Sequence, residues 1–250
     1  MAKMNWTGSA WLRPGLGVFR GNAGDNALHA HYAHQVAIAL EGEVEVTLAA
    51  SRLRGAGIVI PANIRHQLAP QKVLLIYLDP TSASGRALFA EAGPLPKALP
   101  APYCKKLLTA AQSQAFLQQA LTGSFSTTAP STVDERLVAI VAKLEASLGS
   151  GIDVNRDALA AMVNLSPSRF SHWFVAQAGM PLRGYRKWLR LLLALNNVAQ
   201  TGHLTEAAHA AGFADSAHFS RTFRQMFGIS PMAALQQVSL HAEASSGVVS

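Results

Sequence analysis

Two groups of side chains in this sequence have the types and spacing to do chemistry. One is His29, His31, Gln35 and His66. Three imidazoles can hold a divalent transition metal such as zinc, copper, nickel or iron and leave coordination positions open for a ligand. Gln35 carries no negative charge and is a poor ligand, so a second use of the same four side chains stands beside the first: a polar pocket in which they hydrogen-bond an organic effector or one another. The other group is Ser168, Arg169, Ser171 and His172, matched further on by Ser216, Ala217, Ser220, Arg221 and Arg224. Arginine can donate two hydrogen bonds to O6 and N7 of guanine in the major groove, a pair that supplies roughly 1–3 kcal/mol of base discrimination. Arg221 is accordingly expected to read a base, and His172, shorter and only partly charged, to read one more weakly. Arg169 and Arg224 lie where they could hold phosphates. Neither group contains a nucleophile beside a base or a pair of carboxylates, so no enzymatic reading gains support.

A repeat positions the second group. Phe170-x3-Phe174-x4-Gly179 recurs as Phe219-x3-Phe223-x4-Gly228, 49 residues on. An alanine-rich stretch precedes each copy, Asp157 to Val163 and Thr205 to Ala211. A short turn follows, then an N-cap: Ser166 before Pro167 and Asp215 before Ser216. Short helix, turn and second helix is the helix-turn-helix plan. The phenylalanines at i, i+4 turn inward, which leaves the serines, His172 and the arginines facing out. Between the copies, Leu182 to about Thr201 reads as one long apolar helix. Twenty residues span about 30 Å, close to the roughly 34 Å between successive major-groove faces on one side of a duplex. Arg183, Arg186, Lys187 and Arg190 near its start could add phosphate contacts.

Charge supports this only locally. The net charge is +7, yet residues 1–125 carry 11 basic and 6 acidic side chains against 10 and 8 in residues 126–250. Within residues 166–228 the count is seven arginines and lysines to two acids, a basic surface suited to a polyanion.

The stretch Ala210 to Pro231, with Gly212-Phe213, Phe219-Ser220-Arg221, Phe223-Arg224 and Phe227-Gly228-Ile229-Ser230-Pro231, resembles the signature of the AraC/XylS family of regulators. Leu165-Ser166-Pro167-Ser168-Arg169-Phe170-Ser171-His172-Trp173-Phe174 resembles that family's first recognition helix. The similarity covers about Val133 to Gln237. It implies seven helices and a protein that binds double-stranded promoter DNA, works with RNA polymerase and usually activates transcription. His172 stands where the family commonly has arginine, and Ala234-Leu235 replaces its usual tyrosine-arginine.

The first group must be positioned by β structure. Glu43 to Leu48 alternates polar and apolar, the period-2 signature of a half-buried strand. Val36 to Leu40 precedes it across Glu41-Gly42, which reads as a tight hairpin turn. Gly57 to Pro61 and Val73 to Leu78 are further short apolar runs. Many short strands with turn signals suggest a sandwich or barrel. If residues 29 to 35 form a strand, His29, His31 and Gln35 face one way and His34 the other. His29-x-His31-x3-Gln35-x6-Gly42 and Gly55-x5-Pro61-x-Asn63-x2-His66 resemble the two cupin motifs, which implies a small β-barrel with these four residues inside it. Ser84 to Ala92 and Thr109 to Leu121 have helical spacing, and by family resemblance the helix around Ala111 to Leu121 could form a homodimer contact.

The expected fold class is therefore α+β. A cupin-like barrel for sensing and dimerisation spans residues 1–122, a linker 123–132, an all-α double helix-turn-helix domain 133–238 and a flexible tail 239–250. With one cysteine, Cys104, no basic-apolar leader and no apolar run of membrane length, the sequence reads as cytoplasmic. The leading expectation is a DNA-binding regulator, an activator responsive to a small-molecule effector. The alternative is a metal-dependent cupin enzyme fused to a DNA-binding module, against which Gln35 argues. A third is an architectural DNA binder with a vestigial barrel.

Overall fold

The computed structural model describes residues 4–13, 15–111, 134–150 and 152–242. Its strands are β1 (Thr7–Arg13), β2 (Leu16–Ala23), β3 (His34–Ala39), β4 (Val44–Leu48), β5 (Arg52–Gly55), β6 (Gly57–Ile60), β7 (His66–Leu68), β8 (Gln71–Leu78), β9 (Lys97–Leu99) and β10 (Val238–Ala242). They form a seven-stranded sheet in the order β10-β1-β2-β8-β3-β6-β9 and a three-stranded sheet in the order β5-β4-β7. The apolar runs of β3 and β8 are continuous because both faces are buried. Val36, Ile38, Leu74 and Ile76 face a layer containing Leu88, Cys104 and Leu107, from helices α1 (Ala83–Ala92) and α2 (Ala101–Ala110). Ala37, Val73 and Leu75 face the other way, onto Val44, Val46 and Leu68 of the small sheet.

Two expectations about this half need correction. The strands do not close into a barrel: among the described residues they form two separate ladders, an open sheet with a smaller one packed on it. Glu41-Gly42 is also not a hairpin, since β3 pairs with β6 and β8 while β4 pairs with β5 and β7. The turn, with Gly42 at φ 68° where a side chain would be strained, carries the chain from one sheet to the other. It returns between Gly55 and Gly57. It crosses again from β6 to β7 and back to β8, so the chain passes between the two ladders four times.

The C-terminal part holds seven helices among the described residues: α3 (Glu135–Gly149), α4 (Arg156–Met162), α5 (Pro167–Ala178), α6 (Leu182–Thr201), α7 (Leu204–Ala210), α8 (Ser216–Phe227) and α9 (Pro231–Leu235). Their core is built on Phe170, Phe174, Tyr185, Leu191 and Phe219, with Leu137, Ile140 and Leu144 of α3 closing one side. Residues 239–242, expected to begin a flexible tail, instead belong to β10, which pairs in parallel with β1 from Gly8↔Val238 to Leu12↔Ala242. Alternation explains this: Val238, Leu240 and Ala242 are half-buried and Ser239 and His241 exposed. The expected linker at 123–132 and residues 112–121 of the expected dimer helix lie outside the described residues. Among the described residues, no helix is long and apolar enough to cross a membrane.

Candidate functional site

The two helix-turn-helix units carry the same local code. Ser166 Oγ accepts from the Arg169 amide at 3.4 Å and Asp215 Oδ1 from the His218 amide, so each second helix starts on a side-chain cap. Each ends on a glycine in the left-handed region, Gly179 at φ 70° and Gly228 at φ 72°. Phe170, Phe174, Phe219 and Phe223 are buried, which fixes the rotation of α5 and α8 about their axes. Ser168, Arg169 and His172 are exposed on α5, as are Ala217, Arg221 and Arg224 on α8; Ser171, Ser216 and Ser220 are half-buried. Ser171 Oγ donates back to the Pro167 carbonyl at 3.0 Å, which ties up its proton but leaves lone pairs free. Helix α6 is 20 residues long, with the bounds its sequence suggested, and packs between the units.

The basic residues expected to add phosphate contacts from α6 divide into two kinds. Arg183 is exposed. Arg186 donates to the Val154 carbonyl and pairs with Asp153 at 3.3 Å, and Lys187 Nζ donates to Gln225 Oε1 of α8 at 3.0 Å. Those two side chains brace the helices, a role that charge alone did not reveal.

His29, His31, Gln35 and His66 do come together, though not along one strand. Residues 29 to 33 are irregular, and His29 meets His66 through an isolated antiparallel bridge with amide-to-carbonyl distances of 2.9 and 2.8 Å. His34 opens β3 and points away from the cluster. It is buried, accepts from the Ala62 amide at 3.1 Å and stacks on Phe89 of α1. Each of the three cluster imidazoles places Nδ1 against a backbone carbonyl: His29 on Ala27, His31 on Ala33 and His66 on Ile64, at 2.8 to 2.9 Å. Each Nδ1 must therefore carry the proton, and each Nε2 presents a lone pair.

His31 Nε2 and His66 Nε2 both meet the head of the Gln35 amide, at distances of 2.8 and 2.9 Å. Two lone pairs cannot be satisfied by an oxygen, so the amide N–H2 group faces them and donates to both; a half turn about the last side-chain bond exchanges its nitrogen and oxygen. This leaves His29 Nε2 with no hydrogen bond among the described residues. The three ring nitrogens lie within 4.8 Å of one another, a donor set that could hold a divalent metal. Gln35 supplies a neutral partner to two of them without one. Burial holds all four histidines below the usual imidazole range, His29 and His34 at about 4, with repulsion from His31 adding to the effect on His29, His34 and His66.

Sequence reasoning missed Asp79. It follows β8, is buried, and joins the sheet to α6. Its Oδ1 accepts from the amide and the hydroxyl of Thr81 at 2.8 and 2.6 Å, and its Oδ2 accepts from Trp188 Nε1 at 3.1 Å. Because the Thr81 proton is committed to Asp79, Tyr185 donates its own to Thr81 Oγ1 across 3.0 Å. Burial pushes the Asp79 carboxyl above the usual range despite these donors. The only sequence signal was an acid placed directly after an apolar run.

Beside the Asp79 link lies a cavity of about 120 Å³ between the large sheet and the helices. Phe19, His29, Gln35 and Tyr77 line it from the sheet side, and Trp188, Leu192, Phe223 and Phe227 from the helical side. The second unit is anchored at its rim, where the Gly228 carbonyl accepts from the Ala27 amide at 2.9 Å.

Residues 159–237 match the family described as a helix-turn-helix domain. The regulator GbdR of Pseudomonas aeruginosa is 38% identical over 102 residues, covering 40% of this chain and 27% of GbdR. The transcriptional activator RhaS of Escherichia coli is 35% identical over 80 residues, covering 32% of this chain and 29% of RhaS. The match thus spans less than a third of either relative's length. Among solved structures, an apo form of ToxT from Vibrio cholerae superposes with a TM-score of 0.63 at 11% identity, covering 90% of this chain and 98% of ToxT. ToxT bound to an unsaturated fatty acid gives 0.57 at 8% identity, covering 88% and 94%. The ToxT likeness establishes the arrangement of a β-sheet domain followed by a helical region. GbdR and RhaS are transcriptional regulators, and the helical part of this chain carries a helix-turn-helix domain similar to theirs.

Proposed function

We propose that this chain is a cytoplasmic, ligand-responsive transcriptional regulator that reads two adjacent major grooves of promoter DNA with α5 and α8. One observation carries the reading: two capped helices expose Ser168, Arg169 and His172, and Ala217, Arg221 and Arg224, from the two sides of a 20-residue helix. A helix of that length spans about 30 Å, nearly one turn of duplex. Arg221 pairs with a guanine edge, His172 makes the weaker contact, Ser168, Ser171, Ser216 and Ser220 take base edges or phosphates, and Arg169 and Arg224 hold phosphates. Ligand response is supported by the cavity, because its walls come from both halves and a molecule inside it would touch the sheet and α8 together. That a ToxT structure contains an unsaturated fatty acid makes a small-molecule effector a natural expectation for the same arrangement here.

Selection of binding sites from random duplex, followed by hydroxyl-radical footprinting, tests the reading. Two protected patches on one face, about 10 base pairs apart centre to centre, are expected. A single patch, or binding without sequence preference at physiological salt, would overturn it. His29, His31 and His66, with Gln35 as a fourth donor, are the residues that would hold a divalent transition metal. Such a metal would place positive charge at the polar end of the cavity. One equivalent of metal in protein purified without chelator, absent from His66→Ala, would establish that occupancy in place of the purely hydrogen-bonded cluster.

A further inference from the structure

The walls of the cavity are chemically one-sided. Aromatic and aliphatic side chains make up most of them, and neither lysine nor arginine lines them. The acid at the rim, Asp79, is engaged by Thr81 and Trp188. A carboxylate placed here would lose its hydration with no lysine or arginine to meet it. Size points the same way. At about 120 Å³ the space is slightly smaller than an engineered apolar cavity of about 150 Å³ that takes up benzene, and far too small for a long acyl chain.

Two polar atoms are left over at the sheet side. Tyr77 lines the cavity, and its hydroxyl has no hydrogen bond among the described residues. His29 Nε2 is a lone-pair acceptor without a donor, because Gln35 serves only His31 and His66. One free O–H and one free acceptor complement a group that accepts and donates at once. A hydroxyl does both.

We infer that the cavity between the sheet and the second helix-turn-helix unit binds a small uncharged molecule of about the size of benzene carrying one hydroxyl, and does not bind a long-chain fatty acid or other carboxylate. The inference rests on reading the chain as ligand-responsive and names the class of ligand. The ring or short alkyl body fills the space between Phe19 and Leu192, and its hydroxyl accepts from Tyr77 and donates to His29.

Calorimetric titration of the full chain, followed in parallel by tryptophan fluorescence because Trp188 forms part of the wall, tests this with phenol, toluene, benzoate and cis-9-hexadecenoate as probes. Phenol is expected to saturate one site and toluene to bind about thirtyfold more weakly, the worth of two net hydrogen bonds. Tyr77→Phe should weaken phenol about fivefold while leaving toluene binding unchanged, and Leu192→Trp should abolish both. Benzoate or hexadecenoate binding more tightly than phenol, with or without added zinc, overturns the inference, as does phenol binding that survives Leu192→Trp. The regulator reading is judged separately, by DNA affinity. Phenol that binds as described without shifting that affinity leaves the site standing and removes the response. A fatty acid that shifts it while phenol fails to bind does the reverse.

Discussion

Helices α5 and α8 are each 12 residues long, each starts on a side-chain oxygen cap, ends on a glycine near φ 70° and buries a pair of phenylalanines four residues apart. Behind them the resemblance stops. Phe223 and Phe227 of α8 line the cavity, Phe227 sits 5.9 Å from the Tyr77 ring centroid, and Gly228 is hydrogen-bonded to Ala27. No residue of α4 or α5 lines that cavity among the described residues. One unit is thus mounted on the large sheet and the other on its sister helices. A repeated motif can therefore supply two similar exposed helices while only one is in direct touch with the cavity.

Lowering the pH should break this asymmetry most strongly. In chelator-treated protein, His29 and His34 have folded-state pKa values of about 4, below the ordinary imidazole value of 6.5. The unfolded state therefore binds more protons between those limits. The stability these two histidines contribute is complete above pH 6.5 and lost as the pH falls toward 4, about 3 kcal/mol for each. Asp79, with its raised pKa, works in the opposite sense and makes the loss shallower. Hydrogen exchange should show α8 losing protection before α5 as the pH drops; simultaneous loss would mean that the units are equally coupled to the sheet.

The two terminal glycines sharpen the same contrast. A Cβ at position 179 would meet nothing within 4 Å, so Gly179→Ala should cost only the left-handed backbone strain, about 1–2 kcal/mol. A Cβ at position 228 would collide with the Ala27 carbonyl oxygen, so Gly228→Ala should cost that strain plus the displacement of α8 from the sheet. Thermal unfolding of the pair checks this, and equal losses would dissolve the distinction. On DNA, Arg221→Ala should weaken cognate binding by about 1–3 kcal/mol and relax one base preference, with a smaller loss for His172→Ala, as measured by equilibrium binding. The smallest effect expected is from Arg224→Ala, a uniform weakening across sequences with the slope of log affinity against log salt reduced by about one.

The helical half was legible because its information is local. Ser166, Asp215, Gly179 and Gly228 specify caps within a few residues of themselves, and the i, i+4 phenylalanines fix which face is buried. The sheet half was less so. Val36 to Leu48 reads as a hairpin because a polar residue and glycine between two apolar runs look the same whether the next strand pairs or crosses to another sheet. The histidines were correctly grouped for an incorrect reason, since a loop and a β-bridge bring them together rather than strand alternation. Asp79's link to the helices and the cavity were invisible because they depend on residues more than 100 positions away, as with Trp188 at a separation of 109. β10 was legible in principle: Val238 to Ala242 alternates, but its short, small side chains suggested fraying.

The pairing of β10 with β1 also sets a timetable for the newborn chain. Gly8 leaves the ribosome early and Val238 late, so at about 5–20 residues per second β1 waits roughly 10 to 50 s for the neighbour that will cover its outer edge. During that interval an open strand edge is available to any other nascent copy. Translation that stalls before Val238 would leave finished helices α5 and α8 on a protein whose sheet has an unsealed border.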